Sequence, residues 1–310
     1  MKKDTSTSLY NENNPAAPAK PRILHIRCKT GHEELLPGLQ HEASLSFKQA
    51  LELVDIGAVY VQGQRVKVES FTATLSAGDY LRVHLEPRRF TLPTKTPRQL
   101  VVADEPDFLV SIKPAGLPTH ATLDNVKENL VAYLAEFGPL WPVHRLDQIT
   151  MGLIVLAKNT QFTKQFQQWQ KQGLVEKIYH AYTQHPVPIG RHVHYTPVGS
   201  KPPRTMQSNA APGEQRCELE VLSCQPRHAA QASADVPYQS RIRLITGRTH
   251  QIRAQLAALG CPLIGDQIYG SPEKTLLQPS PLLSSDLSFP KTVNQRWSFH
   301  FDPATWSIES

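Results

Sequence analysis

An α+β fold is predicted for this chain, with a mixed or antiparallel central sheet flanked by helices and a small α+β module ahead of it. Two observations predict it. Short apolar runs of strand length recur after residue 100: Leu100-Val101-Val102-Ala103, Phe108-Leu109-Val110-Ser111-Ile112 and Leu153-Ile154-Val155-Leu156-Ala157. Strands also follow one another in pairs between residues 177 and 245, an order that excludes a regular strand–helix repeat.

Bulk properties bound the rest. A chain of 310 residues is long enough for one large core or two smaller units. Its formal charge of +6 favours a polyanionic partner such as nucleic acid without specifying one. No apolar run is long enough to span a bilayer. Met1-Lys2-Lys3-Asp4 is not followed by the apolar stretch of a secretory signal, so a soluble, cytoplasmic protein is expected. The four cysteines, Cys28, Cys217, Cys224 and Cys261, form no C-x-x-C pair and read as free thiols in a reducing compartment. His180, His185, His192 and His194 match no metal-binding spacing, so no metal is expected.

The elements follow in order. Residues 1–21 are polar and read as a disordered tail, with Lys2, Lys3 and Lys20 solvated. Residues 22–86 read as a small unit. Phe47, Ala50, Leu51 and Val54 follow helical spacing, and Gly57 closes that helix. Strands Val59–Val61, Val66–Val68 and Tyr80–Leu85 follow, separated by turns at Gly63 and Gly78. No helix is evident in residues 30–45. Residues 87–99 have the Pro-rich, basic composition of a linker, and Arg88, Arg89, Lys95 and Arg98 suit a phosphate backbone.

Residues 100–310 carry the larger domain. Helices are expected from Asn125 to Glu136 and, capped by Asn159-Thr160, to Lys171, with Phe162, Phe166 and Trp169 on one face. Strands Lys177–Tyr182, Cys217–Leu222 and Arg241–Ile245 and a helix over Thr249–Leu259 complete the unit. The polar stretches 184–215 and 225–238 read as surface insertions.

Four runs offer chemistry. Pro142-Val143-His144-Arg145-Leu146-Asp147 places a carboxylate, a guanidinium and an imidazole in a loop before a buried strand; alone it equally suits a local Arg145–Asp147 ion pair. Thr246-Gly247-Arg248-Thr249-His250-Gln251-Ile252-Arg253 turns a strand into a helix N-terminus, a corner suited to an RNA phosphate or a carboxylate. Glu176–Tyr182 puts Lys177, Tyr179 and Ala181 on one face of a strand. Lys113-Pro114-Ala115-Gly116-Leu117 reads as a rigid loop.

Together with Gly265-Asp266-Gln267-Ile268-Tyr269-Gly270, these runs resemble, in content and order, the motifs of the RluA-type family of RNA pseudouridine synthases. The resemblance covers about residues 100–306. Residues 22–86 also partly resemble the small RNA-binding module of the S-four ribosomal type. The first resemblance implies that Asp147 is the catalytic carboxylate, that Tyr179 stacks on the target base and that Arg248 pairs with Asp147. Asp147 would act as a nucleophile at C1′ or as a base at C2′. His144, Arg145, Lys113, His250 and Arg253 are implied as contacts to RNA. No cofactor is implied. The partner would be ribosomal RNA, favoured over tRNA, with no membrane, no obligate protein partner and a monomeric state.

The chain departs from the family pattern at Met151 (usually Ser), at Gln255 (usually His), in the run Leu283–Phe289 and in both insertions. Two other readings compete: a non-catalytic RNA-binding or assembly factor on the same fold, and a hydrolytic N-glycosidase with Asp266 as its second carboxylate.

Overall fold

A computed structural model describes residues 22–29, 31, 33–67, 74–227, 237–272 and 280–302. The tail 1–21 and Val68 lie outside the described residues, as does most of the second insertion. The chain divides into two compact units, residues 1–88 with 123–125, and residues 89–122 with 126–310.

In the first unit the order is β1 (Ile23–Arg27), β2 (Glu33–Glu34), α1 (Leu35–Ala43), α2 (Phe47–Asp55), β3 (Val59–Val61), β4 (Gln64–Arg65), β5 (Thr74–Leu75) and β6 (Tyr80–His84). Helix α2 starts at the Ser46–Gln49 capping box, which satisfies two of its free N–H ends reciprocally. Gln62 and Gly63 both take positive φ, the requirement of a tight hairpin between β3 and β4. Helix α1 corrects the expectation of no helix over 30–45. Pro37 and Gly38 disguise it, yet Pro37 falls in the first turn, where the missing N–H costs nothing, and Leu35, Leu36 and Leu39 are buried. A four-stranded sheet, β1-β6-β3-β4, packs against these helices, with Leu39, Leu53, Val54, Val59, Leu81 and Val83 in one core.

The expected linker is more ordered than its composition suggests. Asp124 receives a forked pair of hydrogen bonds from Arg88, Glu128 pairs with Arg89, and Glu136 lies 3.6 Å from Arg98. These arginines, expected on phosphate, have carboxylate partners.

The second unit runs α3 (Pro97–Leu100), β7 (Val101–Asp104), β8 (Phe108–Lys113), α4 (Leu130–Tyr133), β9 (Trp141–Pro142), β10 (Met151–Ala157), α5 (Thr160–Lys171), β11 (Glu176–Thr183), β12 (Gly190–Pro197), β13 (Glu214–Pro226), β14 (Tyr238–Leu244), α6 (Gln251–Ala258), β15 (Leu282–Pro290) and β16 (Arg296–His300). Its sheet is ordered β12-β13-β14-β11-β15-β10-β8-β7, with β9 on β10 and β16 on β15. It is mixed, because β10 and β15 pair in parallel while their other neighbours are antiparallel. Every residue of β8 and β10 is buried, as expected of strands covered on both faces. Ile154 and Leu156 pack with Ile252 and Leu256 of α6. Their alternates Leu153 and Val155 join Phe162 and Phe166 of α5. Asn159 caps α5 by accepting the Phe162 N–H at 2.8 Å, as expected.

Three elements differ from expectation. The helix expected over 125–136 shrinks to α4 because the N-cap is Asn129, whose side chain accepts from Ala132. The first insertion contains β12, which pairs with β13 along its whole length. The atypical run Leu283–Phe289 is the interior of β15, a central strand. Its Ser284 hydroxyl donates to the Leu153 carbonyl at 3.0 Å, which lets a polar residue sit fully buried. Beside it Gly152 has φ +116°, and an added Cβ would fall 2.2 Å from the Ser284 carbonyl oxygen. Only glycine permits that approach. Met151, the departure next to it, is buried in the α5-side core.

Candidate active site

Asp147 lies in the loop between β9 and β10, and neighbouring main chain and side chains hold that loop from several directions. The Gly116 N–H donates to the Gln148 carbonyl at 2.8 Å. Thr119 donates its hydroxyl to the Leu146 carbonyl and receives the Leu146 N–H. Ser280 donates to the Ile149 carbonyl at 2.6 Å. Lys113 is fully buried, and its ammonium donates to the carbonyls of Pro114 (2.7 Å), Leu117 (2.7 Å) and Gln148 (3.3 Å). Burial pulls that ammonium down to about 7, opposed by the Asp147 charge. Lys113, expected at RNA, is instead the buried clamp between the Lys113–Leu117 loop and the Asp147 loop.

The remaining partners come from α6 and the loop after it. Arg253 is buried, and its Nε and Nη2 donate to the two oxygens of Asp266 at 2.6 and 2.8 Å. This fork leaves Nη1 toward Asp147, 3.7 Å from Oδ2. His250, in the left-handed region with φ 56°, brings Nε2 to 3.9 Å from the other Asp147 oxygen. Its Nδ1 lies 3.2 Å from the Tyr269 hydroxyl, and Arg253 stacks over the Tyr269 ring. Burial lowers the His250 imidazole below its usual value, with Asp147 opposing.

A cavity of about 800 Å³ opens over this cluster, and Asp147, Lys177, Tyr179, Gly247, Arg248 and His250 line it. Tyr179 is buried on β11, and burial pushes its phenol far above the ordinary range, with a hydrogen bond to Ser284 opposing. Among the described residues, no group of three or more His, Cys, Asp or Glu side chains is placed to hold a metal ion.

The structure thus gathers Asp147, Tyr179, His250 and Arg253 and places several other expected site residues differently. The arginine beside Asp147 is Arg253, not Arg248. Helix α6 begins at Gln251, so position 253 points from its first turn into the core, whereas Arg248 precedes the helix and is exposed. Gln251 ties that turn together, accepting from the Arg248 N–H and the Thr246 hydroxyl. Arg253, expected on RNA, is occupied by two carboxylates. His144 is also not free for RNA. Its Nε2 accepts the Val155 N–H at 3.1 Å, its ring stacks on Phe166, and burial lowers its pKa to about 3. Arg145 makes no ion pair with Asp147; it is exposed and donates to the Thr249 hydroxyl.

Sequence reasoning assigns no role to Tyr269 or Lys177, and gives Asp266 one only in the competing hydrolytic reading. Asp266 has both oxygens on Arg253 and is buried, so it is not available as a second hydrolytic carboxylate. Gln255 fills the place of the usual histidine by donating to His194 Nδ1 at 3.0 Å and accepting from Gln251.

Comparison with known proteins decides the family. Residues 107–258 match the profile described as RNA pseudouridylate synthase. A relative from Aquifex aeolicus, named an uncharacterized RNA pseudouridine synthase, is 31% identical over 280 residues, 82% of each chain.

The chain belongs to the RNA pseudouridine synthase family.

A second synthase, RNA pseudouridine synthase 6, chloroplastic, of Arabidopsis thaliana, is 34% identical over 62% of this chain. The chain spans only 45% of that plant synthase's length. A solved structure, human RNA pseudouridylate synthase domain containing 4, superposes with a TM-score of 0.50 over 66% of this chain and 90% of its own. At 22% identity it shows the shared fold. In this chain the runs that resemble the family's motifs are the segments that gather around Asp147: the Lys113 clamp, the Asp147 loop, β11, the turn into α6 and the Asp266–Tyr269 loop.

Proposed function

We propose that this chain isomerises a uridine within a structured RNA to pseudouridine, with Asp147 as the catalytic carboxylate. The observation that carries the reading is the Asp147–Arg253–Asp266 arrangement. A guanidinium fixed by one buried carboxylate presents its remaining edge to a second, partly accessible one at the floor of a cavity. That edge sets a fixed positive charge 3.7 Å from Asp147, on the side of the cavity where a bound nucleotide would displace water.

The reaction breaks the bond between uracil N1 and ribose C1′ and joins C5 to the same carbon. Asp147 would attack C1′ or take the C2′ proton, and Tyr179 would stack on the extruded base. Extrusion costs a few kcal/mol, recovered through contacts in the pocket. The exposed Arg145, Lys171, Arg248 and Arg296 around the cavity suit the phosphates of the flanking backbone. Large-subunit ribosomal RNA is the favoured substrate and tRNA the second, with the cytoplasm as the compartment and the monomer as the working form. The sheet-bearing first unit, which partly resembles the S-four module, supports the ribosomal choice.

The test uses total RNA from a bacterial strain lacking the gene. Incubation with the purified protein, followed by carbodiimide-blocked primer extension, is expected to give a new stop at one uridine or a few. No new stop in ribosomal RNA or tRNA would reject the reading.

A further inference from the structure

Lys177 is a buried cation in the cavity wall that has no partner among the described residues. It is 9% exposed, and among the described residues no carboxylate lies within 4 Å of it and it makes no hydrogen bond. The turn after β14 packs beside it: a Cβ added at Gly247 would sit 3.5 Å from its Nζ. An ammonium mostly shielded from water, open only to the cavity and without a counter-charge, suits an anion that arrives with the substrate.

We propose that Lys177 donates to a carbonyl oxygen of the uracil ring and balances the negative charge the ring carries while it is detached from the sugar. The inference rests on the isomerase reading and names a second catalytic residue for it. Lys177 and Tyr179 share one face of β11 and stand about 7 Å apart along the strand. A ring stacked on Tyr179 therefore presents its edge to the lysine. When the N1–C1′ bond breaks, its electron pair stays on the ring, spread over N1 and both carbonyl oxygens. C5 then bonds to C1′, the C5 proton leaves to water and N1 takes up a proton, so atoms and charge balance and Lys177 keeps its own proton throughout. Backbone phosphate is a poorer fit for Lys177, because exposed cations already ring the mouth and this one is sunk below them.

Charge at Lys177 is also sensitive to pH. Burial lowers its ammonium to about 8. The groups that share its surroundings are His144, held neutral, together with Asp147, Tyr179 and His250 in the cavity, Arg145 and Arg248 on its lining and Glu176 and Arg243 at its edge.

The experiment measures tritium release from 5-tritiated total RNA of the deletion strain under single-turnover conditions, beside filter-binding affinity for the same RNA. Lys177→Met is expected to slow release about 100-fold, the scale of losing one preorganised donor to a developing anion, with affinity within about 3-fold. Lys177→Arg is expected to retain part of the rate and to hold it to higher pH, where wild type declines above about pH 8. Equal losses of rate and affinity in Lys177→Met, or a wild-type rate in that variant, would overturn the proposal. If Lys177→Met does not fold, identical alkaline limbs in wild type and Lys177→Arg would overturn it instead. Absence of tritium release by wild type itself would reject the isomerase reading, which is a different failure.

Discussion

The loop behind Asp147 and the foot of β11 each bury a lysine, and the two sites are opposites. Lys113 is enclosed by three carbonyl oxygens, so its charge is spent on holding the chain in place. Lys177 is nearly as buried, faces the cavity and has no acceptor among the described residues. The same contrast separates the two arginines of the turn into α6. Arg253 is locked between carboxylates, while Arg248 is exposed. Residue type and burial do not distinguish a structural cation from a working one here. The distinction lies in whether the protein itself supplies the counter-group.

Substitutions sharpen that contrast in decreasing order of effect. Arg253→Ala strands Asp266 as an uncompensated buried charge, and denaturant unfolding should show a loss of about 3–5 kcal/mol together with loss of activity. A smaller loss would mean that Asp266 is hydrated or protonated in the variant. Lys113→Met leaves three carbonyls without their donor and should cost about 3 kcal/mol by the same measurement. A stable, fully active Lys113→Met would show that the Asp147 loop does not need its clamp.

His144 supplies a pH-dependent version of the test. Its folded pKa, about 3, lies below the unfolded value near 6.5, so the unfolded chain binds the extra proton first as pH falls. The neutral ring's contribution is fully present above about pH 6.5. It is lost by about 1.4 kcal/mol per pH unit between there and pH 3. Unfolding curves across that window should show this slope in wild type and a shallower one in His144→Phe, which keeps the stack on Phe166 but cannot titrate. Equal slopes would mean that His144 is hydrated in the folded protein. The smallest effect is at the rim: Arg248→Ala should change stability by no more than about 0.5 kcal/mol, and a larger change would give Arg248 a structural partner.

Much of this was legible in the sequence where local pattern and tertiary environment agree. The apolar run of β10 and the Asn159-capped α5 appear where periodicity places them, because both faces of the strand and one face of the helix meet cores. Helix α1 was hidden by Pro37 and Gly38, and β15 by Ser284, Ser285 and Asp286, whose polarity is acceptable only because serine hydroxyls find main-chain acceptors. Motif order picked out Asp147 and Tyr179, and both line the cavity. It could not tell Arg248 from Arg253, since that choice depends on the residue at which α6 begins. Nor could it show that Asp266 holds Arg253 from a separate loop 13 residues away.

The most direct test of the account is Asp147→Asn, nearly isosteric and unable to act as a carboxylate. RNA from the deletion strain would be treated with wild type or the variant, digested to nucleosides and quantified for pseudouridine by mass spectrometry, with RNA affinity measured alongside. The account predicts new pseudouridine with wild type, none with Asp147→Asn, and nearly equal affinities. Pseudouridine formed by Asp147→Asn at the wild-type level would contradict it.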